Sequence, residues 1–300
     1  MYDKVDPRAA LMAAEAAKVA VFTSYRPSDY VRFYERKPQI VDATGRTWLA
    51  RGNSAVISYS EVTAGASFSR PDQIDEWVIL LPDADTRLEV TVAGETTVIT
   101  GHSINFIPAG ASTTRVLAGG RVVRMFTNRS TDLAECSLNA GTFSTPNPNI
   151  PPFVAWPEPT DGWRVRSYSL DVAPQPGRFG RIWRCTTFMI NVFDPTHGPR
   201  DVTKLSPHHH NEFEQFSLAL QGSFIHHLRW AWTQDMTMWK PDEHEFCGTP
   251  SLAIIPPPAI HTTRALDPGT NLLVDIFAPP RMDFTKMDGW VLNNADYPIP

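Results

Sequence analysis

Residues 208–222 read His208-His209-His210-Asn211-Glu212-Phe213-Glu214-Gln215-Phe216-Ser217-Leu218-Ala219-Leu220-Gln221-Gly222. Three consecutive imidazoles, an acid and amide pair, a short apolar run and a closing glycine fit a metal site better than any other local arrangement. In an extended chain alternate residues share a face, so His208 and His210 point one way and His209 the other. His208, His210 and Gln215 are the candidate ligands, with Glu214 as the rival of Gln215. The location in mid-chain excludes an appended purification tag.

The surrounding sequence contains a repeat. Residues 101–108, followed by Ala109-Gly110-Ala111-Ser112-Thr113-Thr114-Arg115, are echoed by residues 248–256, followed by Pro257-Pro258-Ala259-Ile260-His261-Thr262-Thr263-Arg264. Each copy has a glycine, a strand ending in isoleucine, a proline turn, a threonine pair and an arginine. Upstream, Glu76-Trp77-Val78-Ile79-Leu80-Leu81-Pro82-Asp83 takes the place of residues 215–222. Self-similarity at half the chain length means two copies of one module, not a solenoid. Around these segments, Trp77-Val78-Ile79-Leu80-Leu81 reads as a buried strand, whereas residues 88–92 and 103–107 alternate. Turn signals at Pro82-Asp83, Ala93-Gly94 and Gly119-Gly120 separate them, giving antiparallel β-structure.

These residues resemble the cupin superfamily, and two copies resemble a bicupin. The first cupin motif, His-x-His, three or four residues, an acid, six residues and a glycine, matches His208, His210, Gln215 and Gly222. The second motif matches Pro256, Pro258 and His261. The resemblance covers residues 31–130 and 165–280. It departs from the motif at Gln215, where the family has glutamate, and at Ala265, often asparagine; glutamine at this ligand position occurs in cupins similar to the protein that opens unsaturated uronate rings. The resemblance implies an all-β chain of two double-stranded β-helix, or jelly-roll, barrels, with metal ligands His208, His210, Gln215 and His261. Counting back from Gly222 sets the strand phase, so Gln215 faces the metal and Glu214 the opposite side. The matching first-copy positions are Ser69, Pro71, Glu76 and Thr113, which leaves that copy without a metal.

The expected organisation is a short N-terminal helical segment over residues 1–30, starting at Asp6-Pro7, and a metal-free cupin module over 31–138. A proline-rich linker follows over 139–164, then the metal-binding module over 165–280 and a C-terminal tail over 281–300. The 27 basic and 32 acidic residues, net charge -5, contain no basic block, which argues against nucleic acid and anionic membranes as partners. The absence of a signal-peptide pattern and of an apolar stretch of roughly twenty residues leads to the expectation of a cytoplasmic chain. Cys136, Cys185 and Cys247 suggest neither a disulfide framework nor a paired-cysteine zinc site.

The remaining candidates follow from chemistry. Glu214, His227 and His244 are the candidate catalytic acids and bases. Arg229 and Arg264 could clamp a carboxylate, and Trp230 and Trp232, in the aromatic insertion over 229–246, could wall a binding site. The expected cofactor is one divalent transition metal, Mn, Fe, Ni, Cu or Zn, and the expected assembly a homodimer. Together these imply an enzyme acting on a small oxygenated, carboxylate-bearing molecule, by Lewis-acid isomerase, lyase or ring-opening chemistry or by O2-dependent cleavage. The alternative is a non-catalytic metal-dependent binding or sensor protein.

Overall fold

The computed structural model describes Phe22 and residues 24–300; the expected N-terminal helix lies outside them. Among the described residues the protein is nearly all antiparallel β-structure, with two short α-helices, Thr131–Glu135 and Met282–Thr285. The continuous apolar run expected as a buried strand is one: every residue of Trp77–Leu81 is buried, because both faces of that strand are covered. Its alternate residues divide between two cores. Trp77, Ile79 and Leu81 face the interior of the first barrel, whereas Val78 and Leu80 meet Phe216, Leu218, Val274 and Ile276 of the second module in a shared core. Phe216 is fully buried there, so its truncation to alanine costs about 3–5 kcal/mol.

Each module pairs a large sheet with a small one. In the first, the large sheet runs in the order Arg166–Ser169, Ser103–Ile107, Trp77–Leu81, Gly120–Thr127, Ala55–Val62, Gly45–Arg51, Ile40–Asp42. In the second, the order is Asp29–Arg32, Ser251–Ile255, Gln215–Gln221, Thr270–Phe277, Met189–Val192, Arg181–Arg184. The edge strands are exchanged: Asp29–Arg32 pairs with Ser251–Ile255 of the second module, and Arg166–Ser169 pairs with Ser103–Ile107 of the first. Each exchange covers an edge that would otherwise present unpaired N–H and C=O groups.

A reciprocal set of hydrogen bonds joins the modules. Glu76 accepts from the Thr186 N–H and hydroxyl, both at 2.9 Å, and Glu214 accepts from the Ser54 N–H at 2.6 Å and hydroxyl at 2.8 Å. Thr186 and Ser54 occupy matching hairpin turns, between Arg181–Arg184 and Met189–Val192 and between Gly45–Arg51 and Ala55–Val62. The end segments match as well: Asn139 clamps the Arg51 backbone with both amide groups, and Asn293, in the segment expected as a tail, clamps that of Arg184.

Candidate metal centre

The Gln215–Gln221 and Phe224–Arg229 strands meet at Gly222, whose φ of 85° and whose closeness to the Asn271 side chain leave no room for a Cβ. That turn fixes the phase of the strand behind it. Gln215 points into the second barrel, and Glu214 points out of it towards Ser54 and Asn53. Burial pushes the Glu214 carboxyl up, against the hydrogen bonds from Ser54 and Asn53 that lower it.

His208 and His261 come together through an isolated antiparallel bridge, with backbone N–H to O=C distances of 3.1 and 2.7 Å. The donor nitrogens of His208, His210 and His261 lie within 4.8 Å of one another. Two of these rings have an assignable tautomer. His208 Nδ1 lies 3.0 Å from the Ser206 carbonyl and His261 Nδ1 2.9 Å from the Ala259 carbonyl; a carbonyl only accepts, so each Nδ1 carries the proton and Nε2 is left with the lone pair. His210 is held by rings, stacked on Phe213 at 4.5 Å and edge-on to Phe277 at 5.8 Å, with Nδ1 buried and unpartnered. Burial first, then the neighbouring Arg281, His208 and His261 side chains, hold its pKa well below the usual imidazole range, which favours the neutral ring.

The Gln215 carboxamide completes the cluster. Its Oε1 lies 3.0 Å from His210 Nε2 and 3.3 Å from His261 Nε2. Its Nε2 donates to Ser217 Oγ at 3.0 Å, and Ser217 in turn donates to Asp275 Oδ1 at 2.6 Å. This chain fixes which end of the amide faces the histidines, because the Ser217 hydroxyl proton is already committed to a carboxylate. An amide oxygen beside the lone pair of His261 Nε2 is two acceptors facing each other, an arrangement that a cation reconciles. Three imidazoles and one amide oxygen therefore fit a divalent transition-metal ion.

A cavity of about 440 Å³ opens beside His208, Gln215 and His261. Its polar wall includes Asp275, Asn271 and Arg200, whose guanidinium is steadied by the Thr263 and Lys204 carbonyls and the Ser206 hydroxyl at 2.9–3.1 Å.

Neither the family models nor the characterised proteins gave a sequence match. Solved structures do match. AerE from Microcystis aeruginosa superposes with a TM-score of 0.56 at 11% identity, covering 81% of this chain and 97% of that one. Oxalate decarboxylase from Lactobacillus farciminis, solved as a formate complex, gives 0.56 at 12% identity and covers 88% of each chain. The chain has the bicupin fold.

The two cupin barrels can now be compared position by position. Gln215 pairs with Ile255, and Trp77 pairs with Ile107, so the counterpart of Gln215 is Trp77, and Glu76 is the counterpart of Glu214. Sequence comparison placed Glu76 opposite Gln215; the strand pairing moves that register by one residue. By the same pairing, His261 matches Ser112 and its bridge partner His208 matches Arg70, in place of Thr113 and Ser69.

The other sequence candidates lie away from the cluster. His227 bonds His244 at 2.8 Å between neighbouring strands outside the cavity wall. Arg229 is exposed and paired with Asp242. Trp230 is buried against Leu228, Ile255 and Ala259, Trp232 is 77% exposed and stacked on Trp239, and Arg264 is not on the cavity wall. His209 is partly buried and outside the triad. The residues that sequence reading missed are Ser217 and Asp275. The signal for Asp275 was present: an acid inside the apolar run Leu272-Leu273-Val274-Asp275-Ile276-Phe277 has a polar reason to be there.

Proposed function

We propose that the bicupin is a metal-dependent enzyme whose second barrel acts on a small oxygenated, carboxylate-bearing molecule by Lewis-acid chemistry of the isomerase, lyase or ring-opening kind. The observation that carries this reading is the convergence of His208, His210, His261 and Gln215 Oε1 at the edge of the about 440 Å³ cavity. A divalent ion held there supplies a Lewis acid that polarises a substrate oxygen.

The chain's own contributions are positional and electrostatic. The Ser206 and Ala259 carbonyls hold two imidazoles in the ligating tautomer, and Ser217 with Asp275 holds the Gln215 amide with its oxygen inward. Four neutral ligands leave the ion's double charge uncompensated, which favours an anionic partner, and Arg200 adds a fixed positive charge to the same wall. The aromatic insertion over 229–246, whose rings would suit oxygen chemistry on an aromatic substrate, does not line the cavity, with Trp232 turned to solvent. That favours the non-redox route.

Metal analysis of the native protein comes first; manganese, nickel or zinc supports the Lewis-acid reading. Protein loaded with the native metal is then offered catechols, diketones and uronates, with product formation and oxygen consumption followed together. Turnover of a carboxylate-bearing substrate without oxygen uptake is expected, and obligatory oxygen consumption overturns the non-redox route. Saturable binding with no turnover is the outcome of the binding or sensor alternative.

A further inference from the structure

The first barrel has its own interior cavity, about 230 Å³, lined in part by Thr47, Leu49, Phe68, Arg70 and Arg124. That exceeds many times the roughly 10–15 Å³ needed for one water. Gly120–Thr127 alternates so that Val122, Arg124 and Phe126 face inward, while Val123 and Met125 face the shared core. Arg124 lies opposite Ile79, as Asp275 lies opposite Ser217. The two barrels therefore carry opposite charges at the same interior position.

Arg124 is 7% exposed. Its guanidinium lies 3.8 Å from the Phe68 ring centroid, Nη2 donates to Ser58 Oγ at 3.0 Å, and Nε is buried without a partner. The neighbouring Arg70 is fully engaged, bonded to both Asp132 oxygens at 2.6 and 3.0 Å and to Gln73 at 2.9 Å. Among the described residues no carboxylate pairs with Arg124. The carboxylate on the cavity wall, Asp42, is exposed and tied to Thr44. Taking an unpaired guanidinium out of water is costly unless charge and hydrogen bonds answer it, and stacking on Phe68, with Phe126 at 5.9 Å, recovers only part.

We propose that the first barrel binds a small organic carboxylate, anchored by the Arg124 guanidinium in this cavity. The planar fork matches a carboxylate in two parallel hydrogen bonds. The apolar walls, Leu49, Val62, Phe68 and Leu133, suit the hydrocarbon body of such an acid better than they suit bare inorganic phosphate. The site is separate from the metal centre and does not depend on its assignment.

The test is calorimetric titration of the full chain, at fixed ionic strength, with acetate, propionate and butyrate, and with inorganic phosphate as competitor. Saturable binding is expected in the wild type, tightening about fourfold with each added methylene. Arg124→Met should weaken it at least tenfold. Arg124→Lys, which keeps the charge without the fork and guards against a misfolded methionine variant, should also weaken it about tenfold. Butyrate binding unchanged in either variant, or no saturable binding in the wild type, overturns the site. Phosphate displacing butyrate at equal concentration overturns the choice of an organic acid.

Discussion

The two barrels share their strand order and the contacts that lock them together, and they part company at four interior positions. His208, His261, Gln215 and Asp275 in the second barrel correspond to Arg70, Ser112, Trp77 and Arg124 in the first. One set converges neutral donors beside an acid; the other replaces them with two guanidiniums, a hydroxyl and an indole. At the contact between the barrels the matched residues do the same work, as Glu76 and Glu214 show. The fold thus fixes where an interior side chain points, and residue identity decides what the barrel can hold.

The largest effect is expected where the contrast is sharpest. His208→Ala and His261→Ala should each reduce bound metal to background, measured by elemental analysis of the full chain, while the circular dichroism spectrum stays that of the parent. Metal retained at full occupancy in both variants would break the contrast between the barrels. Next come the matched carboxylates. Glu214→Ala and Glu76→Ala each leave a buried N–H and hydroxyl without an acceptor, at about 1–3 kcal/mol per group, read from denaturant midpoints. Glu214→Ala should nevertheless leave metal affinity within about threefold. A collapse in metal binding there would return Glu214 to the centre.

Much of this was legible in the sequence, for reasons that also explain what was not. The histidine motif, the repeat of the proline turn and the buried run at Trp77 are local patterns, and a strand period of two carries them directly into three dimensions. The opposite facing of Glu214 and Gln215 followed from the same period. The register between copies did not, because a shift of one residue moves every correspondence without changing the look of the sequence. The exchanged edge strands and the Asn139 and Asn293 clamps depend on contacts between residues 60 or more apart, and no local pattern reports them. At Asp275 the acid inside an apolar run signalled a polar role, but not its partner Ser217, which lies across the sheet.

A smaller effect tests the Gln215 orientation. Ser217→Ala removes the hydroxyl that accepts from the amide, so metal affinity should fall about 10–100-fold, measured by competition with a chromophoric chelator. Ser217→Thr keeps the hydroxyl and should restore most of the loss. Equal affinities in all three proteins would mean that the amide needs no support.

The smallest effect is a pH dependence carried by Glu76, which is preferable to Glu214 because Glu214 adjoins the candidate ligand Gln215 in the chain. Burial holds its carboxyl above the ordinary value of 4.5, against hydrogen bonds from Thr186 and Tyr297 that lower it. A carboxyl whose folded pKa exceeds its unfolded value binds the proton more tightly in the folded state. Its stabilisation is complete below the unfolded value and is lost as pH rises through the folded one. Glu76→Gln keeps an acceptor for the Thr186 groups and a donor for the Tyr297 hydroxyl, and it does not titrate. The denaturant midpoint of the glutamine variant should therefore gain on that of the parent between pH 4.5 and 8. A difference that is flat across that range would show that the protein pays no desolvation penalty at this carboxylate, and that Thr186 and Tyr297 fully compensate the buried charge.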